Sequence, residues 1–398
     1  MAKITEPSER IYFFTPFCIL RNSTNRIFDM RMCDAFAGAG TKTTMIFPYF
    51  YMKENLKRDD IFKSYDCKNT FGLRIQWTPL TSKTPDLLRT LILLIAFSIS
   101  TLRLIIGNTG RLRNVVVISR EVIPLIPIIV IKKIFGRLIP VKIVIQLHEL
   151  KKSRLHRWAY RQCTGLMPNV PIARTILHER DSIPNEKMLI MNAPMVDFLP
   201  TDCSKQQARE KIGYKANAPL VVYTGKVGKG IAELDYILEA AAMLPQYHFI
   251  FTGGKEHVVK FFREYCEGRK INNTTFTGFF NEVSMVRYYQ LAADVLVSYY
   301  NTGDHLVDFN YPQKIQEYLS TGNAIVTPDF SATREVINEG NSFIVEPDDP
   351  KALANGISDA IENKELAKTK GAAAILSSKK ITYDSKVAEF LDFFKKLS

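Results

Sequence analysis

The chain has 398 residues, 46% apolar and 23% charged, with a net charge of +13. This length exceeds what one hydrophobic core usually organises, so two domains are expected, and the composition is that of a folded soluble protein. Its six cysteines are scattered with no CxxC pair, which argues against a disulfide framework or a zinc site and suits a reducing compartment.

In chain order, the opening MAKITEPSER is polar and reads without a secretory leader. RIYFFTPF is a candidate first strand. TNRIFDMRMCDAFAGAG follows as a helix stopped by Gly38 and Gly40, and TKTTMIFPY as the next strand. The most apolar stretch, Leu87 to Ile106, contains Arg89 and Arg103 and leaves only 13 uncharged residues between Thr90 and Leu102. A membrane span needs about 20 residues, so this stretch reads as a buried helix, with a partly membrane-facing one as the alternative. NVVVIS and VKIVIQLHE are continuous apolar strands of the kind a sheet covered on both faces requires. Between Ile131 and Arg180, eleven Lys and Arg oppose only Glu149 and Glu179. Such a stretch suits an anionic membrane surface or another polyanion, or is a solvated face.

Proline and polar residues cluster from Asn192 to Gln207, and the α/β rhythm then restarts. PLVVYTGK, HFIFTGG, TTFTGFF and DVLVSYY are strands, and IAELDYILEAAAML is an amphipathic helix. In NYPQKIQEYLSTGNAIVTPD, Asn310 is a plausible N-cap and Pro312 sits early in the first turn. Ile315, Tyr318 and Leu319 form a packing stripe, and Gly322 stops the helix. Lys314 and Glu317 lie three apart on an adjoining face. They are either a surface pair worth a few tenths of a kcal/mol or ligand-holding groups at the carboxyl end of a parallel strand, where such sheets bind ligands. Helix N–H groups there suit a phosphate, and the glutamate suits a sugar diol. Tyr223 to Gly230, YTGKVGKG, is a second such strand end, where glycines admit close approach and Lys226 and Lys229 would neutralise a diphosphate without a metal. It is neither a P-loop nor a GxGxxG fingerprint, and a merely basic turn is the alternative. His148, at the end of VIQLHE, is a third candidate, structural or facing a cleft.

Together these segments resemble the retaining glycosyltransferases of family 4. The likeness is strongest in the second half, above all in YPQKIQEYLSTGNAIVTPDFSATREVINEGNSFIVEPDDPKALANGI. The resemblance implies the α/β GT-B fold, two Rossmann-like domains whose parallel sheets face an interdomain cleft. It places an acceptor domain at 1–196, joined by a C-terminal helix at 383–398, and a nucleotide-sugar domain at 197–382. By the same likeness His148, Lys226 and Lys229 are catalytic. Gly225, Lys226, Lys229, Phe279, Asn310, Tyr311, Gln313, Lys314 and Glu317 would bind the donor nucleotide, with Glu317 on the ribose. The sequence departs from the family in three places: Phe309 stands where a first motif glutamate is expected, FCILRNSTN replaces a glycine-rich loop, and Lys226 replaces the more usual arginine.

The implied activity is metal-independent, retaining transfer from a nucleotide-diphosphate sugar to a glycan or lipid-linked acceptor. No Asp-x-Asp motif is present and no cofactor is implied. The expected setting is cytoplasmic, peripheral on the inner face of the cell membrane through residues 131–180, in cell-envelope polysaccharide synthesis. A catalytically inactive scaffold subunit is the alternative; a nucleic-acid-binding protein is a weaker one, because no recognition motif is readable.

Overall fold

The structure is a computed structural model. It describes residues 9–397 apart from 18, 20–23, 51–60, 64, 66, 68–70, 82, 192–202, 226, 228–231, 281–282 and 300–312. The chain divides into two compact units, Met1–Asn192 with Tyr383–Ser398, and Ala193–Thr382.

The first unit runs β1 (Arg10–Phe14), α1 (Thr24–Gly38), β2 (Lys42–Phe50), β3 (Gly72–Leu80), α2 (Asp86–Gly107), β4 (Val115–Ser119), α3 (Val122–Phe135), β5 (Lys142–Leu147), α4 (Arg154–Gln162), β6 (Gly165–Pro168) and α5 (Pro171–Asp181). Its six strands are parallel in the order β3-β2-β1-β4-β5-β6. The second unit runs α6 (Lys205–Lys211), β7 (Leu220–Thr224), α7 (Ala232–Met243), β8 (His248–Thr252), α8 (Glu256–Gly268), β9 (Thr274–Gly278), α9 (Val283–Ala292), β10 (Val295–Val297), α10 (Gln313–Leu319), β11 (Ala324–Pro328), β12 (Phe343–Val345), α11 (Pro350–Glu362) and α12 (Lys364–Ser378). Its strands, again parallel, lie in the order β12-β11-β10-β7-β8-β9. The last helix, α13 (Tyr383–Lys396), returns to the first unit.

The apolar runs explain this architecture. Every residue of β4, β7 and β11 is buried, as strands covered by helices on both faces must be. Both strand orders reverse next to the first strand of their sheet, between β1 and β4 and between β7 and β10. The carboxyl ends of the strands on either side of such a reversal leave a crevice where open parallel sheets take ligands. In the first unit α13 completes the layer over α1: Phe36 packs its ring against Phe390 and Phe394, and Phe28 packs against Tyr383.

The stretch Leu87–Ile106 departs from the buried helix expected of it. Within α2, Leu93, Ala96, Phe97, Ser100, Thr101 and Leu104 face the core. The opposite face is exposed along its whole length, from Leu88 to Ile106. Apolar residues line both faces of α2 and the small polar Ser100 and Thr101 lie on the buried one, so polarity does not mark the solvent side. The buried side is identified by Gln76 on β3, whose Nε2 donates to the Ala96 carbonyl at 3.1 Å and to Ser100 Oγ.

Candidate functional site

In the second unit the carboxyl ends of β7, β8 and β9 carry glycines instead of side chains. Gly225 follows β7 with φ +148°, and its N–H donates to the Thr252 carbonyl at 3.1 Å. Gly253 follows β8 with φ +119°, and its N–H donates to the Gly278 carbonyl at 2.9 Å. A Cβ on Gly253 would sit 2.0 Å from the Gly225 oxygen, so the two turns touch backbone to backbone. Phe279, the next residue after β9, is 74% exposed, an aromatic face left open at the same sheet edge.

Helix α10 brings its two charged residues to this edge, and each has an anchor on another element. Lys314 Nζ donates to Tyr223 Oη at 3.1 Å and lies 4.3 Å from the centre of the Tyr223 ring. It also lies against Gly225, where an added Cβ would come within 3.5 Å of the ammonium. Glu317 Oε2 accepts from Gln290 Nε2 at 2.6 Å. The same amide donates to Thr224 Oγ1 at 3.2 Å, tying the carboxylate to the end of β7. Burial raises the Glu317 pKa, while the Gln290 hydrogen bond and the charges of Arg287 and Lys314 pull it back. Arg287 is fully buried, and burial draws its guanidinium down to about 10 against the pull of Glu317. It donates to the Glu317 carbonyl at 2.9 Å and to the Ser320 carbonyl at 3.3 Å, fixing the end of α10. Tyr318 Oη accepts the Thr224 N–H at 2.9 Å, satisfying a donor that the strand leaves unpaired. Glu317 Oε1 makes no hydrogen bond to any described residue.

Of the residues singled out by sequence, Gly225, Lys314 and Glu317 come together at this edge. Gln313 begins α10 and Phe279 follows β9. Lys226, Lys229, Asn310 and Tyr311 lie outside the described residues, as does Phe309. Sequence reasoning gave no site role to Tyr223, Arg287 or Gln290, and placed Tyr318 only in a packing stripe. Tyr318 and Tyr223 had a readable signal, being polar-tipped residues adjacent to Glu317 and two before Gly225. Arg287 and Gln290 had none beyond a polar pair inside an otherwise amphipathic helix.

The first unit carries a second cluster at the carboxyl ends of β4 and β5. A cavity of about 150 Å³ is lined by Arg120, Glu121, His148, Lys151, His156 and Tyr160 among others. Lys151 pairs with Glu121 at 2.9 Å, and Arg120 reaches the fully buried Asp29 at 3.3 Å. Burial dominates at Asp29 and pushes its pKa up to about 6, with Arg120 and Thr15 opposing. His148 packs edge-on against Phe28, ring centres 5.3 Å apart. Its Nε2 is buried and has no hydrogen-bond partner among the described residues. Burial, and secondarily the Arg120 charge, hold its pKa well below the usual value, so the imidazole is neutral at pH 7. Both amide atoms of Gln146 and the Asn169 carbonyl oxygen are likewise buried without partners.

The basic stretch 131–180 is not one outward-facing patch. Arg157, Arg161 and Arg180 converge on Asp181, whose carboxylate is fully buried. Burial alone would raise the Asp181 pKa, but hydrogen bonds from Arg180 and Arg157 lower it. Lys132 turns inward to the Val141 carbonyl, and Lys142 reaches Glu9. Lys133 and Arg137 stay exposed.

Residues 218–363 match the family model described as Glycosyl transferases group 1, a segment lying within the second unit. No curated protein sequence matches the chain. Among solved structures, the chain is similar to a glycosyltransferase from Rickettsia africae ESF-5 (14% identity, TM-score 0.71, 98% of each chain covered). It is similar to Anabaena HepE in complex with UDP (13% identity, TM-score 0.70), over 98% of this chain and all of that one. It is also similar to the sucrose-phosphate synthase of Thermosynechococcus elongatus (14% identity, TM-score 0.71), over 98% of this chain and 99% of that one. At such identities the likeness is one of fold, and with two parallel six-stranded sheets the chain has the α/β GT-B fold. The matched segment and this fold together support a glycosyltransferase enzyme.

Proposed function

We propose that the protein is a retaining, metal-independent glycosyltransferase that takes its sugar from a nucleoside-diphosphate donor. The observation that carries this reading is the pairing of Glu317 and Lys314 on α10, each anchored at the edge where Gly225 leaves the backbone open. A carboxylate with one oxygen fixed by Gln290 and the other without a partner among the described residues suits a ribose diol. An ammonium over a glycine turn suits a phosphate, and Phe279 offers a face on which a base stacks. The neighbour HepE, of the same fold, was crystallised with UDP, which motivates a uridine nucleotide as the first to test.

Transfer breaks the bond between the anomeric carbon and the β-phosphate oxygen and forms one to an acceptor hydroxyl, whose proton leaves with the diphosphate or to solvent. The chain's task is to stabilise charge on the departing diphosphate. In this reading Lys314 contributes, together with Lys226 and Lys229. His148, neutral and with no Nε2 partner among the described residues, hydrogen-bonds a sugar hydroxyl. Residues 1–196 with the last helix serve the acceptor, and 197–382 the donor. The acceptor is a glycan or lipid-linked glycan of cell-envelope polysaccharide synthesis, met at the cytoplasmic face of the membrane.

Calorimetry and thermal shift with UDP, GDP and ADP test the donor half of the reading. One of them is expected to bind, with affinity unchanged by EDTA. Glu317→Ala should weaken it roughly 10- to 100-fold, the worth of about 1.5–3 kcal/mol for a charged hydrogen bond. Absence of binding by all three, or an unaffected variant, would overturn it.

A further inference from the structure

The exposed face of α2 calls for an explanation of its own. Leu88, Leu91, Ile95, Ile99, Leu102 and Ile106 recur at spacings of three and four and are each roughly half exposed or more, Ile95 at 63% and Ile106 at 73%. At ~100° per residue these six fall within an arc of about 80°, so they form one straight stripe along a helix about 33 Å long. Soluble monomers rarely leave so large an apolar strip in water. The strip widens at its far end. There α3, packed beside α2, exposes Ile134 and Phe135, and Leu138 follows directly.

The charges around the strip have one sign. Arg103 flanks it one helical step to the side and is exposed. Arg111 and Arg113 follow the end of α2, and Lys133 and Arg137 stand among the exposed apolar residues at the end of α3; all four are exposed. At the other end Asp86 is already matched by Arg89 at 2.9 Å. A long apolar stripe bordered by Arg and Lys fits the interface of a bilayer bearing anionic lipid, where the stripe enters the acyl boundary and the cations meet phosphate.

The helix is long and apolar enough to cross a membrane by length and composition, but its other face is committed to the domain. Phe97 packs on Phe14 with ring centres 5.3 Å apart, and the Gln76 amide holds the Ala96 carbonyl and Ser100. Spanning would strip these contacts and strand a buried amide in hydrocarbon. We infer that α2 lies flat in the membrane interface and that its exposed stripe, with the basic end of α3, is the surface by which the protein docks on an anionic lipid bilayer. This rests on the membrane-side acceptor proposed above and is independent of the donor site.

The test is co-sedimentation of the full chain with vesicles of phosphatidylglycerol and phosphatidylcholine, against phosphatidylcholine alone. The wild type should bind the anionic vesicles at least 10-fold better, and less well as salt rises. The variant L91E/I95E changes two exposed side chains and should lose binding at least 10-fold while keeping nucleotide affinity. R103E/R137E should lose most of the preference for anionic lipid. Wild-type protein that fails to bind anionic vesicles overturns both the docking surface and the membrane-side acceptor. Vesicle binding unchanged in L91E/I95E overturns this surface alone. A wild-type dimer in analytical ultracentrifugation that L91E/I95E dissociates, with vesicle binding intact, assigns the stripe to a second copy of the chain and also overturns the proposal. Loss of nucleotide binding in the wild type bears only on the donor site.

Discussion

The carboxyl ends of β7–β9 in the second sheet and of β4 and β5 in the first are built on different plans. In the second sheet the edge is closed on itself: glycine backbone touches glycine backbone, Tyr318 satisfies the Thr224 N–H, and Gln290 ties Glu317 to the end of β7. In the first sheet the edge surrounds a cavity, and Gln146, His148 and Asn169 have buried polar atoms without partners among the described residues. A buried unpaired polar group costs about 1–3 kcal/mol. Ser298 Oγ after β10 and Thr327 Oγ1 in β11 are also buried without described partners, so the contrast lies between the closed end of β7–β9 and the cavity at β4 and β5. The difference fits one site preorganised for a constant ligand part and another whose polar groups await hydroxyls.

The comparison breaks most easily at Gly253. Gly253→Ala puts a methyl on the Gly225 oxygen in a left-handed backbone, and should cost about 2–6 kcal/mol in chemical denaturation. Gly268→Ala, at the end of α8 with nothing within 4 Å, is the control and should change stability little. Equal stabilities for the two variants would show that the closed edge is not closed.

His148 sharpens the contrast through pH. Its folded pKa is depressed, so its contribution to stability is present above about 6.5 and is lost as pH falls toward the folded value. Asp29 leans the other way. Raised to about 6, it favours the folded state more as pH falls from there toward 3.8. The informative quantity is therefore wild type minus His148→Gln. Between pH 7 and 5 the wild type should lose up to about 2 kcal/mol relative to the variant. Parallel pH profiles would mean that His148 titrates normally.

The smallest effect is expected at Gln146. Replacing this unpaired amide by leucine should leave stability unchanged or raise it by about 1 kcal/mol. The same change should lower turnover if the amide meets the acceptor. A marked loss of stability would show that the first edge is satisfied after all.

The α/β rhythm and the strand runs were readable because strands buried on both faces must be apolar nearly throughout, as VVVI of β4 and LVVY of β7 are. Glu317 and Lys314 were readable as candidates from their placement after a strand. Their anchors were not, because Gln290 and Tyr223 lie 27 and 91 residues away and meet them only through the sheet order. The exposure of α2 was illegible for a different reason. Apolar residues occupy both faces, and the small hydroxyls Ser100 and Thr101 sit on the buried one, so only the packing partner reveals which side is left in solvent. The charge count over 131–180 overstated the surface field, because the acid that gathers three of its arginines is Asp181, the next residue.

The return of α13 has a consequence for how the chain is made. The second unit is one uninterrupted stretch, Ala193–Thr382, and can close as soon as it leaves the ribosome. The first unit is synthesised earlier yet finished later. Its Phe36 waits for Phe390 and Phe394, and Gly165 lacks a side chain where Leu397 and Phe393 press in from the last turn. Phe36 thus acquires these neighbours only after more than 350 further residues have been made. The apolar faces of α1 and β6 stay uncovered throughout that interval, which makes the nascent first unit the part of the molecule most dependent on protection from aggregation.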